Sequence, residues 1–379
     1  MNIAILGFGT VGYGVYEMAQ KADNIEVKYV LDLQKHEGLT AKSVTDISEI
    51  LSDASVDTVV ELIGGHRPAY DFITASLKAG KNVITANKLV ICEHYEELTA
   101  LAKENMVALR YTAAVGGGIP WLINLERTIK TSEVKKVRGI FNGTTNYILD
   151  AMHRDGTQFD VALKEAQRLG FAEADPSSDI DGLDTKRKIA ISANISFGVS
   201  VASDEVDVIG IRNVSSEAIR DAESHGYICR LIAKTMKTEE GIAAWVEPTF
   251  VKNDTVYSSV TENFNHIALE AQNVGPLSFF GYGAGRYPTA FTVVNDCIDV
   301  ANGNKKTYNE NMEKTHINNE VASHKYYIIS SASIDFDGLE IAERWDNGIL
   351  TEAISVGSMH KIYKDLLKED PKAFIAGVY

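Results

Sequence analysis

Three groups of residues in this 379-residue chain have types and spacings that could carry chemistry. The first is Gly7-Phe8-Gly9-Thr10-Val11-Gly12, which follows an apolar run and opens a helical pattern. In a G-x-G-x-x-G turn the first glycine permits the tight bend. The second lets the backbone approach a pyrophosphate, and the third lets the helix pack closely on its strand. The helix N-terminus then offers unpaired N–H groups and the positive end of its dipole to the phosphates. Glycine-rich turns are common, and it is the strand before and the helix after that point this one to a dinucleotide. Asp32 closes the second apolar run, where an acid roughly 20 residues past the loop accepts hydrogen bonds from the ribose 2′-hydroxyl and favours NAD. Lys35 and His36 are placed to meet a 2′-phosphate and admit NADP instead, and Asp32 also reads as a solvated turn residue. The balance leans to NAD. Glu61 to Gly65 closes the third strand, and Gly64 sits where the nicotinamide half would pass over the sheet edge.

The second group lies in 170–188, where five carboxylates fall within a dozen residues (Glu173, Asp175, Asp179, Asp181, Asp184). A calcium loop that starts at Ser177 would need a bidentate Glu at its last position, which is Lys188 here, so that reading fails. Asp184 opens a helical pattern and lies four residues before Lys188, so the two share a face. A lysine beside a carboxylate among apolar turns suits proton transfer to a carbonyl or from an alcohol. On spacing alone the plainer reading, a surface ion pair of little consequence, is slightly the stronger. Lys186 and Arg187 point to other faces and are expected in solvent. The third group is Lys88 in Thr85-Ala86-Asn87-Lys88, just past a strand end, where open α/β sheets place ligand contacts. A capped helix start explains the same residues.

These groups need a framework. Strand patterns at 2–6, 26–31, 58–62, 82–85 and 107–111 alternate with amphipathic segments such as 68–77 and 95–102. That alternation predicts an α/β fold with a doubly wound, Rossmann-like parallel sheet. From 134 onward β-branched strands mix with helices, which places a boundary near 130 and an α+β domain over 131–280. The segment 281–301 is expected to return to the dinucleotide-binding domain of 1–130. The polar stretch 302–325 reads as a linker, and 326–379 as a small appended α+β unit.

Composition bounds the rest. A net charge of −15 argues against a nucleic-acid partner. No apolar run reaches the roughly 18 residues of a membrane span. The three cysteines are odd in number and far apart, which suits free thiols in a reducing compartment. The N-terminus enters a strand pattern with neither the basic start nor the cleavage site of a signal peptide. A cytoplasmic enzyme acting on a small molecule is expected.

The ordered motifs resemble the homoserine dehydrogenase family: GFGTVG at 7–12, ELIGG at 61–65, TANK at 85–88 and VGGGIP at 115–120, then GIFNGTTNYIL at 139–149, GFAEADPSSDIDGLDTKRK at 170–188, and GYGAG with PTA over 281–290. The resemblance runs from residue 1 to about residue 300. It implies NAD(P)-linked interconversion of L-homoserine and L-aspartate 4-semialdehyde by a homodimer built on the middle domain. Lys188 would be the proton donor in reduction, Asp184 its partner and a substrate contact, and Lys88 a neighbour of the nicotinamide and the reacting oxygen. Glu173 would bind the substrate amino group, and Asp179, Asn142, Gly143 and Thr144 would line the pocket. Phe8, Thr10, Val11 and Gly285 would contact the cofactor. Four departures matter. Thr112 stands where the family has a Glu that helps hold sodium, leaving the carbonyls of Val115, Gly117 and Ile119 as a weakened site. Phe171 removes a hydroxyl from the pocket rim, and Leu31 replaces an Arg that faces the NADP phosphate. The tail is shorter than the family's regulatory ACT domain and would be at most a degenerate remnant, so threonine feedback is not expected. Aspartate-semialdehyde dehydrogenase shares the loop but needs a nucleophilic cysteine, and none of the three has that setting. A catalytically inactive, dinucleotide-binding regulatory homologue is the remaining alternative.

Overall fold

The computed structural model describes residues 1–305, 312–332 and 339–379. The chain forms two compact units, Met1–Thr131 with Asn194–Ser200 and Gly281–Lys314, and Ser132–Ala193 with Val201–Phe280 and Thr315–Tyr379.

The first unit holds six strands, β1 (Asn2–Leu6), β2 (Glu26–Leu31), β3 (Lys42–Val44), β4 (Thr58–Glu61), β5 (Asn82–Thr85) and β6 (Leu109–Arg110). Their order is β3-β2-β1-β4-β5-β6 and every pairing is parallel. The chain winds one way from β1 through β2 and β3, then the other way through β4 to β6, so the order reverses beside β1. A doubly wound sheet opens its ligand crevice at that switch point. The side chains of β1 show why both faces are covered. Ile3 and Ile5 enter a core with Val15, Val60, Ile84, Val293 and Cys297, while Ala4 and Leu6 enter another with Leu31, Val44, Ile50 and Val59. Each fully buried Ile or Leu contributes about 1.5–3 kcal/mol.

Helix α1 (Thr10–Ala19) follows β1, and α2 (Lys88–Glu104) follows β5. The segment from Gly281 leads into the helix Arg286–Ala301, which lies against α1. A Cβ on Gly14 would stand 2.9 Å from Arg286 Cγ. The buried guanidinium of Arg110 fastens this helix to β6, donating to Asp296 at 2.9 Å and to Asp299 at 3.1 Å. The last strand is shorter than its pattern over 107–111 suggests, because Thr112–Ala114 turns into a 3-10 helix. The edge strand β3 was not legible in the sequence.

The second unit is built on a mixed sheet. Along its main path the strands are β7 (Val134–Ile140), β8 (Tyr227–Thr238), β9 (Gly241–Lys252), β10 (Phe264–Ala271), β11 (Gly275–Tyr282), β12 (Ser323–Ile329), β13 (Ile341–Arg344), β14 (Ile349–Thr351) and β15 (Phe374–Val378), and two short strands, Asp207–Val208 and Ile354–Ser355, pair off that path. The main path runs in the order β11-β10-β7-β8-β9-β15-β12-β14-β13. Helices α3 (Gly143–Arg154) and α4 (Leu183–Phe197) carry the residues of interest.

Two boundaries differ from the sequence-based expectation. The tail is not an appended unit: β15 pairs with β9 and with β12, so the described part of 326–379, which leaves out residues 333–338, continues the middle domain's own sheet. Tyr326 and Tyr327 are fully buried there, and their hydroxyls donate to Glu247 and Asp221. Nor is 302–325 a free linker over its described part, while residues 306–311 lie outside the described residues. Glu313–Lys314 pairs with Val199–Ser200, Ile317 bridges Ile242, and the Asn319 amide satisfies both the N–H and the carbonyl of Ala244. Polar composition misled here because these side chains and backbone groups serve buried partners. Among the described residues no helix is long and apolar enough to cross a membrane.

Candidate active site

The loop after β1 is set by backbone geometry. Gly7 has φ +91°, its N–H donates to the Leu31 carbonyl at 2.8 Å, and an added Cβ would stand 2.9 Å from the Ile63 backbone. At Gly12 a Cβ would lie 2.0 Å from the Gly7 carbonyl oxygen, so only glycine lets α1 approach the strand this closely. Gly9 is different: nothing lies within 4 Å of the position its Cβ would take. Gly9 caps α1 with no side-chain hydrogen bond, and the first turn carries no acid, so the N–H groups and dipole face outward uncompensated. Thr10 is exposed, and Phe8 and Val11 are partly so. These residues fit a dinucleotide pyrophosphate.

Asp32 accepts the Phe8 N–H at 2.8 Å and the Leu33 N–H at 2.6 Å, with His36 Nε2 3.4 Å away. It therefore braces the loop. The loop after β4 is braced by a residue that sequence reasoning missed. Glu61 is fully buried, accepts the Thr85 hydroxyl at 2.6 Å, and takes the N–H groups of Ile63 and Gly64 at 2.8 and 3.3 Å. Burial pushes its carboxyl up, and these donors pull it back. The Asn87 amide donates to the Gly65 carbonyl at 2.7 Å, tying this loop to the start of α2, where Lys88 is the first residue. A capped helix start and a position at the carboxyl end of β5 thus hold together for Lys88.

At the VGGGIP turn two carbonyls of the expected sodium set already accept protein hydrogen bonds. The Gly117 carbonyl accepts the Thr292 hydroxyl at 2.6 Å, and the Ile119 carbonyl accepts the Trp121 N–H at 2.7 Å. Thr112 is neutral and buried, and its N–H donates to Asp296 at 3.1 Å, a carboxylate already engaged by Arg110. With Val115 that leaves no anionic donor in the expected set. The glycines serve packing instead: a Cβ on Gly117 would lie 2.5 Å from the Gly283 backbone. Gly285, with φ +119°, caps the helix Arg286–Ala301.

In the second unit the lysine and carboxylates gather around Asn142. This residue ends the link from β7 and caps α3, its Oδ1 accepting the Thr145 N–H at 2.9 Å. Its amide nitrogen donates to Asp179 at 2.7 Å and to Asp184 at 2.9 Å. Lys188 Nζ lies 2.7 Å from Asp184 Oδ2 and donates to the Phe141 carbonyl at 2.7 Å. Lys188 is only 6% exposed and Asp184 likewise, which removes the surface ion-pair reading. Burial and the neighbouring Asp184 push the Asp179 carboxyl up, while Asn142, Lys188 and Thr144 pull it down. Thr144 donates to the Phe171 carbonyl at 2.5 Å, and a Cβ on Gly143 would lie 2.5 Å from the Asn263 carbonyl oxygen. Glu173 is exposed on the loop before Ser177, where Gln167 holds its backbone carbonyl at 3.1 Å. Asp181 is drawn off by Arg212 and belongs to the surface. Lys186 and Arg187 are half-buried rather than solvated, with Lys186 donating to the Asp204 carbonyl at 3.3 Å. The bridging role of Asn142 and the Phe141 carbonyl had no sequence signal beyond the resemblance.

Two family models match this chain, described as homoserine dehydrogenase over residues 120–298 and as its NAD-binding domain over residues 7–112. A homoserine dehydrogenase of Lactococcus lactis is 36% identical, covering 86% of this chain and 82% of its own length. One from Corynebacterium glutamicum is 40% identical, covering 79% and 72%. Among solved structures, that of a homoserine dehydrogenase from Thiobacillus denitrificans superposes with a TM-score of 0.86 at 27% identity, covering 100% of this chain and 98% of that one. That of S. aureus homoserine dehydrogenase gives 0.77 at 30% identity with the same coverage. The inactive regulatory alternative finds no support in any of these, nor in a lysine–carboxylate cluster whose members are all in place. An oxidoreductase framework with a nicotinamide-dinucleotide loop and a buried lysine on a carboxylate pair identifies the chain as a member of the homoserine dehydrogenase family.

Proposed function

We propose that the chain interconverts L-homoserine and L-aspartate 4-semialdehyde, with Lys188 as the proton donor in reduction. The observation that carries this is the buried ammonium. Two of its three donors are directed to Asp184 and to the Phe141 carbonyl, which leaves the third for a substrate oxygen. A bound nicotinamide supplies or accepts the hydride, and the proton is the task of this chain's side chains. In reduction Lys188 Nζ gives its proton to the carbonyl oxygen as negative charge develops there, and in oxidation the amine takes a proton from the hydroxyl. Asp184 orients the ammonium, and Asn142 holds Asp184 and Asp179 side by side despite their like charge. Asp179, Gly143 and Thr144 line the substrate pocket, and Glu173 takes the substrate amino group. Lys88, at a strand's carboxyl end, contacts nicotinamide and substrate oxygen.

Gly7 to Gly12, Gly64 and Gly285 would hold the dinucleotide. NAD is used at least as well as NADP, because Asp32 stands at the ribose and Leu31 offers no charge to a 2′-phosphate. We also take the working form to be a homodimer, and the edge strand β11 leaves Phe280 55% exposed. The deciding experiment adds L-aspartate 4-semialdehyde to purified protein and reduced cofactor. Loss of reduced-nicotinamide absorbance with homoserine as product is expected. A folded protein that turns over neither substrate would overturn the assignment.

A further inference from the structure

A second cluster of ligating side chains lies in the first unit, in the loop after β4 and on α2. His66 Nε2 and His94 Nε2 face one another at 2.9 Å, and Glu93 Oε2 is 3.2 Å from His66 Nε2. One ligand atom from each of the three lies within 4.8 Å of the others. Neighbouring residues on a regular helix point about 100° apart and do not share a target. Here α2 breaks its helical backbone at His94 (φ −126°, ψ 25°), and Glu93 and His94 both reach His66.

The far side of His94 is also fixed. Its Nδ1 lies 3.4 Å from Glu97 Oε2, and the other Glu97 oxygen accepts the Tyr70 hydroxyl at 2.8 Å. The Tyr70 ring lies against both imidazoles, with centroids 3.9 and 5.7 Å away. A carboxylate on Nδ1 keeps the proton there and turns the Nε2 lone pair toward the cluster, the arrangement that supports metal-bound histidines. A hydrogen bond between the two facing ring nitrogens employs one lone pair only. A cation employs both, together with the Glu93 oxygen.

We propose that His66, Glu93 and His94 bind a divalent transition-metal ion of the zinc class. Two imidazoles and one carboxylate suit that class, whereas magnesium and calcium require oxygen donors. Three protein ligands leave a fourth position for water, and side-chain exposures of 35%, 45% and 24% for His66, Glu93 and His94 leave room for it. Ring nitrogens on a tetrahedral zinc ion stand about 3.3 Å apart, so the pair need open by only a few tenths of an ångström. The ion would clip the loop after β4 to α2. Asn87 already makes one such tie at Gly65, beside the glycines assigned to the cofactor, so the ion's role is to stiffen that loop.

The test uses tag-free full-length protein stripped with chelator and titrated with zinc chloride against a chromophoric chelator. Wild type should take up one ion per chain more than the His66→Ala/His94→Ala double variant, and zinc should raise the thermal midpoint of wild type alone. Glu97→Gln should weaken uptake about 10- to 100-fold by releasing Nδ1 of His94. Glu93→Gln, which keeps both rings, serves as the comparison if the double variant fails to fold. Equal uptake by wild type and a folded variant lacking these ligands, or no uptake by wild type, would overturn the site.

Discussion

The dinucleotide loop and the lysine–carboxylate cluster are both polar sites on α/β frameworks, yet they are built in opposite ways. The loop is local, made of backbone within 7–12, and its key positions are defined by what is missing at Gly7, Gly9 and Gly12. The cluster is assembled from side chains of 142–145 and 179–188 that are buried and hold one another. A backbone site can be read from consecutive letters. A side-chain site of this kind depends on burial, which changes the meaning of the same letters.

The contrast can be broken most sharply at Lys188. Lys188→Ala should lower kcat by about 10²–10⁴ while dinucleotide binding, followed by fluorescence titration, stays near wild type, since the loop has its own hydrogen bonds. Near-normal turnover would return Lys188 to a purely structural ion pair. A paired change in the loop comes next. Gly12→Ala forces backbone apart and should cost about 1–3 kcal/mol of stability with cofactor affinity lost as well. Gly9→Ala meets open space and should keep stability within about 0.5 kcal/mol, yet bind dinucleotide at least tenfold more weakly, or about 1.4 kcal/mol. Equal stability losses in the two variants would mean that Gly9 is a packing residue.

Comparing kcat/KM for the two cofactors sharpens the loop further. A preference for NADP of about 10²-fold, near 2.7 kcal/mol, would show that Lys35 or His36 reaches the 2′-phosphate and that Asp32 only braces Phe8. For the cluster, pH is the probe. Burial and Asp184 raise the Asp179 carboxyl in the folded state, so native protein is penalised as pH rises through that folded value, and the penalty is absent below the unfolded range. Asp179→Asn should therefore be more stable than wild type at neutral pH, with the difference vanishing as pH falls below about 4. A difference independent of pH would point to packing instead. The smallest effect is expected at the VGGGIP turn. Exchanging sodium for potassium at constant ionic strength should leave activity unchanged, because protein donors already occupy the Gly117 and Ile119 carbonyls. Saturable activation specific to sodium would show that a cation binds without the carboxylate.

Legibility followed the same division. The parallel strands and the return segment carry strong apolar alternation, and the glycine loop has a fixed spacing, so a periodic reading finds them. Strand β3 is three residues long and carries too little pattern. The described tail and the stretch before it were misjudged because pairing with β9 is non-local, and a polar residue such as Asn319 looks solvated until its buried partners are known.

The sequence by itself determined the doubly wound first sheet, the loop and its glycines, and the candidacy of Asp184 and Lys188, because each depends on spacing along one element. Only the tertiary structure decided that this pair is buried and tethered through Asn142, that Glu61 braces the second loop, and that the tail completes the middle sheet. The reason is physical: the protonation and orientation of a charged group are set by its desolvation and its hydrogen-bond partners, and both come from residues distant in the chain.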